Sequence, residues 1–363
     1  MQRLKHALWG MLALVTLLWV AADPAIFRSS GFFAIREAAV QYSGLLAIGC
    51  MSVAMILALR PRWPESWFGG LDKMYRFHKW LGIAALIVAV IHWLWAKGPK
   101  WAVGFGWLQR PARGPRPVPE NPIEATFMGL RGTAEGWGEW AFYAAVLLIV
   151  VALVQRIPYR FFYKTHRLLA LAFLVLVFHA AVLTKFGYWA SPLGFVLLVL
   201  LAYGTWAAVI VLLRRVGAGR QVSGTIATIQ YYPGVNALET GIDVQEGWPG
   251  HEPGQFAFAM SDASEGAHPY TIASSWDERE RRITFITKGL GDQTRRLPEK
   301  LRVGQQVRIE GPYGRFTFDD DRPCQIWVGA GIGITPFIAR MKYLAARDGV
   351  APSPSVRNVD LFH

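Results

Sequence analysis

The stretch from His78 to His92, HKWLGIAALIVAVIH, is an apolar run of helix length with a histidine at each end. HRLLALAFLVLVFH, from His166 to His179, repeats the pattern. Ionisable residues inside membrane-length apolar segments are expensive, so each one is a functional-site candidate. Offsets of 14 and 13 residues separate the paired histidines by about 21 and 20 Å along a helix axis, much of a bilayer core of about 30 Å. If both helices run the same way, His78 shares a depth with His166 and His92 with His179. Imidazole is a common axial ligand of haem iron, and a histidine from each helix could clamp one haem at each depth, forming an electron wire across the membrane. At about 100° per residue, His92 returns to within roughly 40° of His78, whereas His179 lies about 140° from His166. The second helix therefore needs a local distortion, or its histidines approach from different sides. One such histidine alone reads equally well as a hydrogen-bonded bundle residue; four in two pairs favour metal ligation.

With 363 residues the chain has room for two or three domains, and it is 53% hydrophobic with a mean hydropathy of +0.26. The apolar runs all lie before about residue 213, so a membrane half precedes a soluble half. The net charge of +13 comes with no nucleic-acid module. Its basic residues crowd the ends of the apolar runs, as anionic lipid headgroups and the positive-inside rule require. Cys50 and Cys324 form no CxxC pair, which argues against a disulfide framework, a zinc site or an iron–sulfur site.

Six candidate spans lie near 4–22, 41–59, 78–96, 137–155, 166–184 and 193–213. The first could instead be a signal peptide, with Val20 and Ala22 suiting the cleavage site. Arg60, Arg62, Lys73 and Arg76, then Arg156, Arg160 and Lys164, then Arg214, Arg215 and Arg220 mark short basic connections. They place both termini on the cytoplasmic side of the plasma (inner) membrane. His78 and His166 then form the inner pair, His92 and His179 the outer. The long loop 97–136 pulls the other way with Lys97, Lys100, Arg110, Arg113, Arg116 and Arg131. The aromatic, basic segments 61–80 and 156–166 read as interfacial.

From Val222 onward, short β-like runs with turns between them, VSGTIATIQYYP, GQFAFAM, HPYTIASS, RRITFITKG and QQVRIEGPYG, suggest a small antiparallel barrel. HPYTIASS offers the ring of Tyr270 to a planar group and the hydroxyls of Thr271, Ser274 and Ser275 to polar edges, although an edge strand and turn explain it as well. TKGLGDQT places Lys288, Gly289, Gly291 and Thr294 where a pyrophosphate could be held. CQIWVGAGIGITPFIARMKYLAA then reads as strand, glycine turn and helix, the opening of a nucleotide-binding α/β unit. Gly329, Gly331 and Gly333 permit close approach to a phosphate at a helix N-terminus.

HPYTIASS, TKGLGDQT, GPYG at 311–314 and VGAGIGITP, in this order after six spans with paired histidines, resemble the ferric reductase and NADPH oxidase family over nearly the whole chain. The resemblance implies a multi-domain membrane protein. Residues 1–216 would be a six-helix transmembrane bundle holding two b-type haems on His78, His92, His166 and His179. Residues 217–322 would be an antiparallel β-barrel for FAD, and 323–363 the start of a Rossmann-like NAD(P)H domain. By the same resemblance His268, Pro269, Tyr270 and Thr271 contact FAD, with Tyr270 stacked on the flavin and Thr271 near its reactive edge. Lys288 and Thr294 occupy the places of the family's phosphate-binding basic residue and hydroxyl, and Gly329, Gly331, Gly333, Thr335 and Pro336 form the NAD(P)H loop.

The activity so implied is electron transfer from cytosolic NAD(P)H through FAD and the haems to an outer acceptor, a ferric or other metal chelate or dioxygen. VRNVDLFH reads as a second strand of the nicotinamide domain. The family's later βα units and its late Cys-Gly-Pro segment are missing, so the chain reads as a fragment, a truncated product or a protein completed by another chain. The competing reading is a haem and flavin relay reduced by a partner reductase, without NAD(P)H oxidation of its own.

Overall fold

A computed structural model describes residues 2–24, 31–109, 118–154, 156–262, 265–318, 322, 324–348 and 358–363. Arg110, Arg113 and Arg116 of the long basic loop lie outside them. The chain folds into two compact units, one of Met1–Pro64 with Lys73–Val216, the other of Glu65–Asp72 with Gly217–His363.

The first unit is helical: α1 (Gln2–Ala22), α2 (Phe32–Ala58), the short α3 (Arg62–Phe68) that runs on into the other unit's segment, α4 (Leu71–Gly104), α5 (Pro122–Leu153), α6 (Tyr159–His166), α7 (Leu168–Leu183) and α8 (Pro192–Leu212). Among the described residues, six helical segments are long and apolar enough to cross a membrane, the fifth running Phe161–Leu183 through α6 and α7. α5 starts where its sequence dictates: Pro122 occupies the first turn, and the Asn121 side chain accepts from Glu124 N at 2.9 Å. Its buried stripe is Ala134, Gly138, Ala141 and Ala145, and α8 buries Gly194, Gly204, Ala207 and Ala208. Lipid is as apolar as leucine, so small residues earn close helix approach through packing alone. A Cβ on Gly204 would come within 2.7 Å of Phe173, a fully buried side chain.

The second unit carries a six-stranded antiparallel sheet of β1 (Gln221–Tyr232), β2 (Ala237–Val244), β3 (Phe256–Met260), β4 (His268–Thr271), β5 (Arg282–Lys288) and β6 (Gln306–Tyr313), in the order β4-β3-β6-β1-β2-β5. β2, ALETGIDV, is a strand that the sequence reading left out; a Pro-Gly turn precedes it. Ile226, Leu238, Ile242, Ile272, Ile283, Phe285 and Ile309 meet in its core. The expected closed barrel is not formed. β4 and β5 meet through a single bridge, Ile272 to Phe285, supplemented by Ala273 N donating to Thr284 O at 2.8 Å. β4 is only four residues long and includes Pro269, which has no N–H for a ladder. Helix α9 (Asp292–Lys300) lies between β5 and β6, and after the sheet come β7 (Cys324–Val328), α10 (Thr335–Asp348) and β8 (Asn358–Phe362), with β7 and β8 paired in parallel.

Candidate functional site

The four helix histidines converge in two pairs. The His78 and His166 rings lie 6.0 Å apart between centroids, and those of His92 and His179 6.2 Å apart. Two imidazoles sharing a metal at the usual metal–nitrogen distance of about 2.0–2.1 Å place their centroids about 6.3 Å apart. His166 ends α6 and α7 starts at Leu168, with Arg167 between them in helical conformation within the one apolar span.

Three of the rings are oriented by backbone carbonyls. His78 Nδ1 donates to Ala54 O at 2.9 Å, His92 Nδ1 to Val40 O at 3.0 Å and His179 Nδ1 to Ala134 O at 2.8 Å. A carbonyl can only accept, so the proton sits on Nδ1 and each neutral ring keeps its lone pair on Nε2. Metal-bound histidine typically donates its other ring N–H in this way, which fixes its tautomer and orientation. Ser43 Oγ also lies 3.2 Å from His92 Nδ1. Glycine makes room for both rings of the second pair: a Cβ on Gly44 would come within 3.2 Å of His92 Cε1, and one on Gly138 would overlap the His179 ring.

A cavity of about 820 Å³ contains this second pair and reaches as far as Ala85 and Ile149, a size within the cofactor range of about 300–1,000 Å³. Arg36, Lys97, Lys100 and Arg131 line it, together with Glu135 and Glu139. Lys97 pairs with Glu139 at 2.7 Å and Arg131 with Glu135 at 3.5 Å. The buried Trp93 Nε1, also in the lining, has no hydrogen-bond partner among the described residues. Cationic side chains and an orphan donor suit the carboxylates of a macrocyclic group, and the residues present fit a bis-histidine haem.

In the second unit the incomplete seam between β4 and β5 brings HPYTIASS beside the strand that leads into TKGLGDQT. The Tyr270 ring is half-buried and lies 5.9 Å from that of Phe285, with its body against the core. His268 and Thr271 are half-buried and Pro269 is exposed; burial holds the His268 imidazole below its ordinary pKa. Ser274 is buried, and its Oγ accepts from Thr284 N at 3.1 Å, while Ser275 is half-buried.

At the end of β5, Lys288 is half-buried. Gly289 donates to Asn236 O at 3.1 Å, and a Cβ there would press within 2.8 Å of the Asn236 side chain. Thr294 Oγ1 accepts from Leu290 N at 3.1 Å and from Gly291 N at 3.0 Å, shaping the turn into α9. In the glycine turn after β7, Gly329 has Ile334 Cα within 2.9 Å of its would-be Cβ, and Gly331 takes a φ of +54°, a conformation glycine adopts without strain. Gly333 N donates to Ala330 O at 3.0 Å. Thr335, almost wholly buried, donates to Ile332 O at 2.7 Å, and Pro336 follows it in the first turn of α10.

Sequence reasoning missed Gly44, Gly138 and Ser43, and also His251. Gly138 had a signal, the Ala134, Gly138, Ala141, Ala145 spacing of a close-packed helix face. The carbonyls that orient the histidines carry none. His251 is buried, its Nδ1 accepting from Trp248 Nε1 at 3.4 Å and its Nε2 donating to Ser274 O at 3.1 Å.

Residues 43–177 match the family described as ferric reductase like transmembrane component. Among curated proteins, ferric reduction oxidase 8, mitochondrial, of Arabidopsis thaliana is 33% identical over 22% of this chain and 12% of its own length. The flavohemoprotein of Pseudomonas putida is 30% identical over 25% of this chain and 24% of its own length. Each match thus spans a quarter or less of the relative. A solved cytochrome P450 reductase from Amycolatopsis is similar over 40% of this chain and 43% of that one, with 20% identity and a TM-score of 0.33.

Proposed function

We propose that this chain, whose residues 43–177 belong to the ferric reductase like transmembrane component family, is an NAD(P)H-dependent flavohaem oxidoreductase. It carries electrons from NAD(P)H through FAD and two b-type haems to an acceptor across the membrane, either ferric iron or another metal chelate, or dioxygen. The observation that carries this reading is the pair of histidine pairs, ring centroids 6.0 and 6.2 Å apart, in helices long enough to span a bilayer.

When bound, the flavin turns a two-electron donor into one-electron steps and the haems conduct single electrons through hydrocarbon that bare helices cannot cross. The chain's residues do the holding and tuning. His78, His92 and His179 present Nε2 lone pairs, because the carbonyls of Ala54, Val40 and Ala134 hold their Nδ1 protons and raise their basicity, and His166 is the fourth ligand. His268, Pro269, Tyr270, Thr271, Ser274 and Ser275 form the FAD seam. Lys288, Gly289 and Thr294 shape the turn before α9 for its pyrophosphate, and Gly329, Gly331, Gly333, Thr335 and Pro336 form the nicotinamide turn. The basic connections put this soluble side, with both termini, in the cytoplasm.

The test is a reduced-minus-oxidised optical spectrum of the detergent-purified chain, first with dithionite and then with NADPH. A b-type haem signal from both reductants is expected. A signal with dithionite alone would make the chain a relay served by a partner reductase, and no signal from either would end the haem reading.

A further inference from the structure

Gly314 ends GPYG, a motif with no ligand assigned to it, and its backbone N–H is taken by a residue from far away in the chain. Glu65, on α3, accepts from Gly314 N at 3.1 Å, across 249 residues of sequence. The stretch Glu65–Asp72 accordingly belongs to the same compact unit as Gly217–His363, outside the range 217–322 expected for the flavin domain. Its buried side chains are those of Glu65, Phe68 and Leu71, while Ser66, Trp67 and Asp72 are exposed. Gly314 N is the one hydrogen-bond partner of the Glu65 carboxylate among the described residues. Burying a charge without a cationic partner costs more than burying an apolar residue of like size, so what Glu65 gains lies in where it holds Gly314.

That place is one strand away from the flavin seam. Gly314 takes a φ of +106°, and a Cβ there would come within 3.2 Å of the Phe256 ring. Phe256, on β3, pairs with Tyr313 on one side and with Thr271 on the other. Its ring lies 5.9 Å from that of Tyr313 with planes 30° apart, and the buried Tyr313 donates its OH to Glu310 Oε1 at 2.6 Å. Tyr313, Phe256 and Thr271 thus stand side by side across β6, β3 and β4, with Gly314 at the end of the first strand. We propose that Glu65 is a positioning residue for the flavin seam, and that Glu65–Asp72 is a part of the FAD site that tightens when FAD binds. The inference rests on the FAD reading above. The carboxylate holds Gly314, Gly314 lies against the Phe256 ring, and Phe256 is the strand partner of Thr271. A ligand that orders Thr271 therefore steadies Gly314 as well. The linkage is reciprocal: if Glu65 strengthens FAD binding, bound FAD holds Glu65 more firmly by the same factor. Asp72 lies in the first turn of α4, the helix of His78 and His92, so flavin occupancy is felt where that helix starts.

The experiment uses the full chain in detergent, with FAD removed and added back, in the wild type and in Glu65→Ala, Glu65→Gln and Glu65→Asp. FAD affinity is read by equilibrium dialysis, protection of 65–72 by hydrogen exchange with mass spectrometry, and folding by haem content. FAD should slow exchange in 65–72 of the wild type. Glu65→Ala should bind FAD about tenfold more weakly, the worth of a hydrogen bond to a charged group, and its exchange should no longer respond to FAD. Glu65→Gln keeps an acceptor at the same reach and should stay within about threefold of the wild type, because a neutral hydrogen bond is about half as strong. Glu65→Asp keeps the charge but is one methylene too short, and should be as weak as Glu65→Ala. A merely structural carboxylate gives neither that order nor a response to FAD. Bound FAD that leaves exchange at 65–72 unchanged, wild-type affinity in Glu65→Ala, or equal affinity in the Gln and Asp variants would each overturn the proposal. If Glu65→Ala loses its haem as well, the order of Gln and Asp decides. A wild-type chain that takes up no FAD defeats the proposal and the flavin reading together, and dialysis of the wild type tells the two failures apart.

Discussion

The two units treat their candidate ligand-binding residues in opposite ways. In the membrane unit three of the four paired histidines spend one nitrogen on the backbone and keep the other for something else, the outer pair in space that Gly44 and Gly138 leave clear. In the soluble unit many of the motif side chains are already engaged with the chain's own backbone. Ser274 Oγ accepts from Thr284 N, Thr294 Oγ1 from Leu290 N and Gly291 N, and Thr335 Oγ1 donates to Ile332 O. Hydrocarbon makes a polar group costly, so a histidine retained there points to a ligand. Beside water, the same hydroxyl is cheap and serves to shape the loop that meets the ligand. The membrane site is thus a set of side chains, and the soluble site largely a backbone form.

Filling the seat of one membrane histidine should give the largest effect. Gly138→Val puts branched carbon where the His179 ring lies, and the expected outcome is loss of one haem of two, read as a halved haem-to-protein ratio with flavin content unchanged. Gly136→Ala, on the same helix with nothing within 4 Å of its would-be Cβ, should keep both haems. Full haem occupancy in Gly138→Val would remove the distinction drawn between the units, because the histidines would then not need a fixed seat.

The same contrast explains what the sequence made legible. The histidine pairing, the helices and the motif order can be read from residues, because burying apolar length and avoiding stray charge are demands on side-chain type. The three carbonyls at Val40, Ala54 and Ala134, and the stacking of Phe162 on His166, cannot: every residue has a carbonyl, and only the fold decides which one a ring meets. A local distortion between His166 and His179 was one of two alternatives in the sequence, and the one-residue interruption at Arg167 could not be placed from it. In the soluble unit, alternation revealed five of the six sheet strands. β2 was missed because Glu239, Thr240, Gly241 and Asp243 dilute its apolar pattern, and its place between β1 and β5 depends on long-range pairing. Closure of the barrel failed at Pro269, a residue already visible in the motif and read only for its ligand.

A second test concerns whether the soluble unit's polar groups are structural. Burial pushes the His251 imidazole down from 6.5 to about 4, with Nε2 donating to Ser274 O and Nδ1 accepting from Trp248. The folded form stays neutral while the unfolded chain takes a proton, so stability is whole above pH 6.5 and falls as pH drops toward about 4. The loss amounts to at most about 3 kcal/mol. Thermal release of flavin from the full chain, followed across that window, should show a falling midpoint that flattens in His251→Gln. A wild-type midpoint independent of pH would mean that His251 is solvated and that Ser274 is not held from behind.

The smallest effect should come from the turn before α9. Thr294→Val keeps the volume and removes the acceptor of two exposed backbone N–H groups, which water can then serve, so the cost is about 1 kcal/mol instead of a full burial penalty. If the turn's shape is what binds pyrophosphate, that cost appears as roughly a fivefold weaker hold on FAD, measured by equilibrium dialysis of the purified chain. Thr294→Ser, which keeps the oxygen, should bind as the wild type does. A Val variant that holds FAD normally would show that the hydroxyl shapes nothing the flavin needs. A Ser variant as weak as Val would instead make the methyl group the part that matters. Either result would erase the difference between a membrane site made of side chains and a soluble site made of backbone.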